Sequence, residues 1–153
     1  MNIFFYVPAI LIFLLDQISK RWVAATLHPN QSIPIIKNVL HLTYVQNTGA
    51  AFGILRGANW FLLGVGVLVL AVVFYFHCRF SARDRLLQVI LGAIFGAALG
   101  NLIDRLIFGH VVDFIDFRFW PVFNFADTFI NLGVAGLVVM LILSRDKKTQ
   151  QPS

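Results

Sequence analysis

Four long apolar runs, separated by short or irregular links, constrain this chain more than any other feature. They cover 3–24, 59–77, 86–108 and 124–143. Each approaches or exceeds the roughly 20 apolar residues that a helix needs to cross a bilayer core. The second run holds no Asp, Lys or Arg, whereas the first is interrupted by Asp16, Gln17, Ser19 and Lys20. The third turns polar at Asn101, Asp104 and Arg105, and the fourth carries Asp127 near its start. A secretory signal peptide is a poor reading of the first run, which lacks a basic start, is long, and carries Asp16 in its second half. The expected fold is therefore mainly α: a polytopic membrane protein with four transmembrane helices, formed by 1–153 as a single membrane-embedded domain.

Composition agrees. Hydrophobic residues make up 59% and charged residues 12%, against about 25% charged in an ordinary soluble domain. That apolar content excludes a disordered chain, and a lone cysteine, Cys78, excludes a disulfide scaffold. The net charge of +5 is scattered among apolar runs and forms no patch for nucleic acid. Four spans put both termini on one side of the membrane. Six basic residues fall on that side (Arg79, Arg83, Arg85, Arg145, Lys147, Lys148) and six on the other (Lys20, Arg21, Lys37, Arg56, Arg105, Arg118). The first six are packed into one short link and one tail, so the positive-inside rule places both termini in the cytoplasm.

The link at 25–58 is too apolar to be a solvated linker. Residues 41–46 alternate and are rich in β-formers, which predicts a strand, and Asn47-Thr48-Gly49 signals a turn. A second strand is expected at 50–55, and 111–117 also alternates, so a small sheet is expected on the outer membrane face. Gly92, Gly96 and Gly100 recur every four residues in the third run and predict close approach of a neighbouring helix. Their ridge continues to Asp104 and points it into the bundle. Trp22, Trp60 and Trp120 fall where an interfacial aromatic belt belongs.

The chemistry lies in the acids. There are seven Asp and no Glu. Asp84 and Asp146 sit beside basic residues and read as solvated loop charges. The other five converge by connectivity: Asp16 and Asp104 end outgoing helices, Asp127 begins an incoming one, and Asp113 and Asp116 lie in the loop between. Along an extended 111–117, Asp113 shares a face with Val111, while Asp116 lies on the other face beside Arg118. Asp127 shares a helix stripe with Asn124 and Asn131. Asp113 and Asp127 thus lack assigned counter-charges at one depth, where two carboxylates share a proton more readily than both ionise. Such a pair can activate water and protonate a leaving amine. The spacing equally allows both acids to form ion pairs with Arg105 or Arg118. Asp16 and Lys20, four apart, can pair along a helix, as can Asn101 and Arg105, and these residues read as structural or positioning groups. No HExxH pattern exists, and His28, His41, His77 and His110 have no metal-ligand spacing. Two other functions remain in play: a small proton-coupled carrier or channel subunit using the same acids, and a Ser–Lys peptidase using Ser19 and Lys20.

Five blocks resemble the bacterial lipoprotein signal peptidase family, also called signal peptidase II. They are Asp16-Gln17-Ile18-Ser19-Lys20; Gln46-Asn47-Thr48-Gly49-Ala50-Ala51-Phe52-Gly53; Gly100-Asn101-Leu102-Ile103-Asp104-Arg105; Gly109-His110-Val111-Val112-Asp113-Phe114-Ile115-Asp116; and Phe123-Asn124-Phe125-Ala126-Asp127. The connection between the last two is short. The resemblance implies an intramembrane aspartyl endopeptidase of the bacterial inner membrane, with four helices, a periplasmic β-cradle and an active site near the periplasmic face. Its substrate would be a prolipoprotein carrying diacylglyceryl on the cysteine just after the cleaved bond. Asp113 and Asp127 match the catalytic dyad. Asn47, Asn101, Arg105 and Asn124 match polar positions around the substrate, and Asp16 and Asp104 match supporting acids. The family needs no metal or other cofactor, works among membrane lipids, and is inhibited by the cyclic peptide globomycin.

Overall fold

A computed structural model describes residues 2–49 and 57–149. The order is α1 (Ile3–Thr26), β1 (Ser32–Ile36), β2 (Leu40–Asn47), α2 (Asn59–Arg79), α3 (Arg85–Phe108), β3 (Val111–Asp116) and α4 (Phe125–Thr149). All four helices are long and apolar enough to span a membrane. The chain is a mainly helical, multi-pass membrane protein with a small sheet at one end of the bundle.

α3 is the central helix. Half of its most apolar stretch is buried, against 11% for α2 and for α4. The glycine ridge explains its closest packing. A Cβ at Gly92 would strike the Phe5 carbonyl, one at Gly96 the Ala9 carbonyl, and one at Gly100 the Asp16 carboxylate. These contacts climb both helices together, so α1 and α3 run parallel with their backbones nearly touching. In lipid, where burial between helices gains little hydrophobic free energy, such close van der Waals packing holds the pair. The ridge ends at Asp104, which is 2% exposed and faces inward as the sequence predicts.

The sheet is antiparallel, in the order β1-β2-β3. β2 and β3 occupy the two alternating segments expected to be strands. β1 is the addition. Its Ser-Ile-Pro-Ile-Ile run does not alternate and contains Pro34, which argues against a central strand but is tolerated at an edge. The strand expected at 50–55 lies outside the described residues. Val23 and Leu27 of α1 pack with Tyr44 of β2 and with Val112 and Phe114 of β3, seating the sheet on the helices. Gly109 ends α3 with φ +74°, a left-handed cap that a side chain would strain. Its N–H donates to the Arg105 carbonyl (3.1 Å). The chain therefore turns at once into β3 and brings residues 111–113 back over the end of α3.

Candidate active site

Asp113 and Asp127 line one cavity of about 530 Å³ at the sheet-bearing end of the bundle. Asn47, Asn101 and Arg105 also line it, and Trp120, Val122, Ile130 and Leu132 give it an apolar side. Asp113 comes from β3, Asp127 from the first turn of α4, and Asn101 from α3. Asn47 ends β2, where Val45 pairs with Asp113. Asn47 therefore lies on the diagonal of Asp113, within side-chain reach.

The first turn of α4 is a reciprocal cap. Asn124 Oδ1 accepts the Asp127 N–H (2.9 Å), and Asp127 Oδ2 accepts the Asn124 N–H (3.3 Å). This is a capping box with Asn and Asp in place of Ser or Thr and Glu. It fixes the Asp127 carboxyl and turns the Asn124 amide nitrogen outward, to donate to Asp113 Oδ1 (2.7 Å). One asparagine thus fastens both carboxyls.

The same logic holds for the other two asparagines. Asn47 Oδ1 accepts the Gly49 N–H (2.9 Å), leaving its Nδ2 to donate to Asp113 Oδ2 (2.8 Å). Asn101 Oδ1 accepts from Lys20 Nζ (2.7 Å) and Asn124 Nδ2 (3.2 Å), and its Nδ2 donates to Asp127 Oδ1 (2.9 Å). In all three amides, donor groups occupy the oxygen and direct the nitrogen at a carboxyl.

Among the described residues, neither Asp113 nor Asp127 makes an ion pair. The two arginines that might have paired with them are engaged elsewhere. Arg118 pairs with Asp116 (3.1 Å), whose carboxylate also accepts from Thr43 Oγ1 (2.7 Å) and the Arg118 N–H (2.8 Å). Desolvation works to raise the Asp116 carboxyl, but these hydrogen bonds and the Arg118 charge outweigh it and hold it below its ordinary value. Asp116 therefore serves the loop, as the alternation of β3 predicts. Arg105 donates to the carbonyls of Gly49 (3.1 Å) and Asn101 (3.3 Å), so the Asn101–Arg105 contact runs through the backbone. Its Nε is buried with no hydrogen-bond partner among the described residues.

Asp113 is 2% exposed. Burial and then the neighbouring Asp127 charge push its carboxyl up to about 7, against the opposing amides of Asn47 and Asn124. A group poised there can hold or release a proton at neutral pH.

Asp16 and Asp104 lie behind this layer. Lys20 Nζ bridges them at 2.7 and 2.9 Å, with all three residues nearly sealed from solvent. Gln17 Nε2 donates to Asp104 Oδ1 (2.9 Å), and Asp16 Oδ1 accepts the Ala126 N–H (3.1 Å). Sequence reasoning assigns Gln17 no role, and Lys20 only local ones beside Asp16 and Ser19. The i,i+4 spacing signals the Asp16–Lys20 pair, but nothing in one sequence signals that Lys20 reaches across to α3. Ser19 Oγ donates to its own helix at the Asp16 carbonyl (2.8 Å), and the Lys20 amine is held by the acids, so the two do not form a dyad.

A family model described as Signal peptidase (SPase) II matches residues 8–143. A lipoprotein signal peptidase of Halothermothrix orenii is 46% identical over 138 residues, covering 89% of this chain and 93% of the relative. One from Moorella thermoacetica is 46% identical over 149 residues, covering 97% and 99%. A solved bacterial membrane enzyme superposes with a TM-score of 0.89 at 32% identity, covering 96% of this chain and 92% of its own. A second reaches 0.80 at 34% identity, with coverage of 88% and 90%.

Proposed function

On the premise that this chain belongs to the signal peptidase II family of aspartic-type proteases, we propose that Asp113 and Asp127 are its catalytic dyad. Family membership makes the chain a protease that removes signal peptides from prolipoproteins. The finer reading is that it cuts just before a cysteine already carrying diacylglyceryl. The observation that carries this reading is the shared cavity. Two carboxyls face it, fastened by amide dipoles instead of cations, with one raised to about 7.

In this mechanism the pair shares one proton at rest, and Asp113 carries it. Asp127, as carboxylate, takes a proton from a water lying between the carboxyls, and that water attacks the scissile carbonyl carbon. Asp113 donates a hydrogen bond to the carbonyl oxygen as the tetrahedral intermediate forms, and a carboxylic acid then protonates the leaving nitrogen. Arg105, whose side chain lines the cavity, holds the peptide backbone or the oxyanion. The apolar wall of Trp120, Val122, Ile130 and Leu132 suits a signal helix and acyl chains arriving from lipid. On this reading the whole chain works as one domain in the bacterial inner membrane. Both termini are cytoplasmic, the site lies near the periplasmic face, and globomycin competes for the cavity.

The test is incubation of the purified protein with a diacylglyceryl precursor, read as a mass shift, with and without globomycin. Asp113→Asn and Asp127→Asn are each expected to lose about 100- to 10,000-fold in turnover while inserting normally. Full activity in either variant ends the dyad assignment. Proton-linked flux in proteoliposomes without precursor cleavage would favour a carrier instead.

A further inference from the structure

We propose that Lys20 is a positioning residue for the dyad, setting the sense of the Asn101 amide and through it the placement of the Asp127 carboxyl. The proposal rests on the dyad reading above. An ammonium group has three hydrogens and no lone pair, so it can only donate. Lys20 makes ion pairs with Asp16 (2.7 Å) and Asp104 (2.9 Å), and its hydrogen bond goes to Asn101 Oδ1 (2.7 Å). If its work were only to neutralise two buried acids, that hydrogen bond could have gone to any carbonyl. It goes instead to the one amide oxygen whose partner nitrogen holds Asp127 (2.9 Å).

The constraint is one-way. An asparagine amide presents oxygen on one side and NH2 on the other. A flip of Asn101 would point NH2 at the Lys20 ammonium and at the Asn124 NH2, leaving donors facing donors. It would also point oxygen at the Asp127 carboxylate. Each confrontation in a buried site leaves polar groups unsatisfied. Asn47 and Asn124 are oriented by backbone N–H groups, which mutation cannot remove without moving the chain. For Asn101 the orienting groups are the Lys20 side chain, 2% exposed, and the Asn124 amide, itself set by the cap. Lys20 is therefore the point where the orientation can be released by a side-chain change. It also acts by a second route, since its partner Asp16 receives the Ala126 N–H in the same turn of α4 that carries Asp127.

The experiment is steady-state cleavage of a diacylglyceryl precursor by purified full-length variants in micelles, with thermal unfolding followed in parallel. Lys20→Met is expected to lower kcat about 10- to 100-fold, the scale of loss from a displaced reacting group, with KM within about twofold. Lys20→Met with Asp104→Asn keeps the buried charge balanced, is expected to give the same split, and decides the matter if the single variant fails to fold. Combining Lys20→Met with Asn101→Ala should add no more than about a threefold loss to Asn101→Ala alone, because both remove one constraint. A raised KM with unchanged kcat, or losses that multiply in the double variant, overturns the proposal. Asp127→Asn serves as the control. If it is inactive while Lys20→Met retains wild-type kcat, only the Lys20 proposal fails. If it stays active, the dyad reading falls and takes this one with it.

Discussion

Asn47→Leu tests the proton assignment more directly than removal of either acid. Asn47 Nδ2 donates to Asp113 Oδ2 at 2.8 Å and so favours the ionised carboxyl. Leucine is of similar size and cannot donate. A hydrogen bond to a charged acceptor is worth about 1.5–3 kcal/mol net. Asn47 is only half-buried, so the lower figure applies, and about 1.4 kcal/mol corresponds to one pH unit. The sign follows from the charged form. Losing a donor to the carboxylate raises the Asp113 pKa, from about 7 to about 8. The cycle needs that proton, so activity falls as pH rises through this value, and the fall begins about one unit later in the variant. At pH 8 about a tenth of the wild type is protonated, against about half of the variant. Normalised to its own plateau, the variant should be about fivefold more active there. The assay is precursor cleavage from pH 5 to 9, fitted for the alkaline limb, which belongs to the coupled pair. A limb that stays in place or moves to lower pH would refute the idea that Asp113 holds the working proton.

Other expectations follow from neighbouring geometry. Asp116→Asn should leave turnover within about threefold of wild type, because that carboxylate serves Thr43 and Arg118; a loss equal to that of Asp113→Asn would mean the faces of β3 are misassigned. Gly96→Ala puts a methyl group into the Ala9 carbonyl and should destabilise the α1–α3 pair by about 1–3 kcal/mol. Gly64→Ala, with nothing within 4 Å of the new Cβ, should not lower Tm. Comparing the two by thermal unfolding in micelles separates packing from the general cost of changing a helical glycine.

The spans, the depth of the acids and the faces of β3 were legible because each depends on a period or a run along one segment. A helix of 24 residues at α3 and alternation through β3 need no knowledge of the partner. Asp113 and Asp127 stood out for the same reason, being acids without local counter-charges. What was hidden is what crosses between segments. β1 pairs with β2 through a Pro34–His41 register that a Pro-containing run does not advertise. Lys20 sits beside Ser19 and four residues from Asp16, and both neighbours suggest local partners, yet its bonds to Asn101 and Asp104 bridge about 80 positions. The capping box was legible in principle, as Asn124-Phe-Ala-Asp127 has the right spacing. With Asp at its fourth position it looked like part of the acid count and not like a helix start.

The choice of amides over cations around the dyad has a physical reason. An arginine in direct contact with either carboxyl would favour its ionised form and remove the shared proton. Neutral surroundings alone would leave both acids protonated and without a base. Asparagine dipoles lie between these limits. They satisfy the carboxyl oxygens and fix their directions, yet stabilise charge less than an ion pair does. The cation is kept one amide away: Lys20 touches Asn101, and Asn101 touches Asp127. Its field still reaches the pair, and it lowers the Asp113 carboxyl, but it cannot take the proton's place. The two supporting acids then serve to hold the ammonium at that distance, since an unpaired lysine so deep would lose its charge or leave the site. On this argument, adding a second cation in contact with Asp127 by Asn101→Lys should abolish precursor cleavage even if the protein folds, because a fixed positive charge would replace the mobile one.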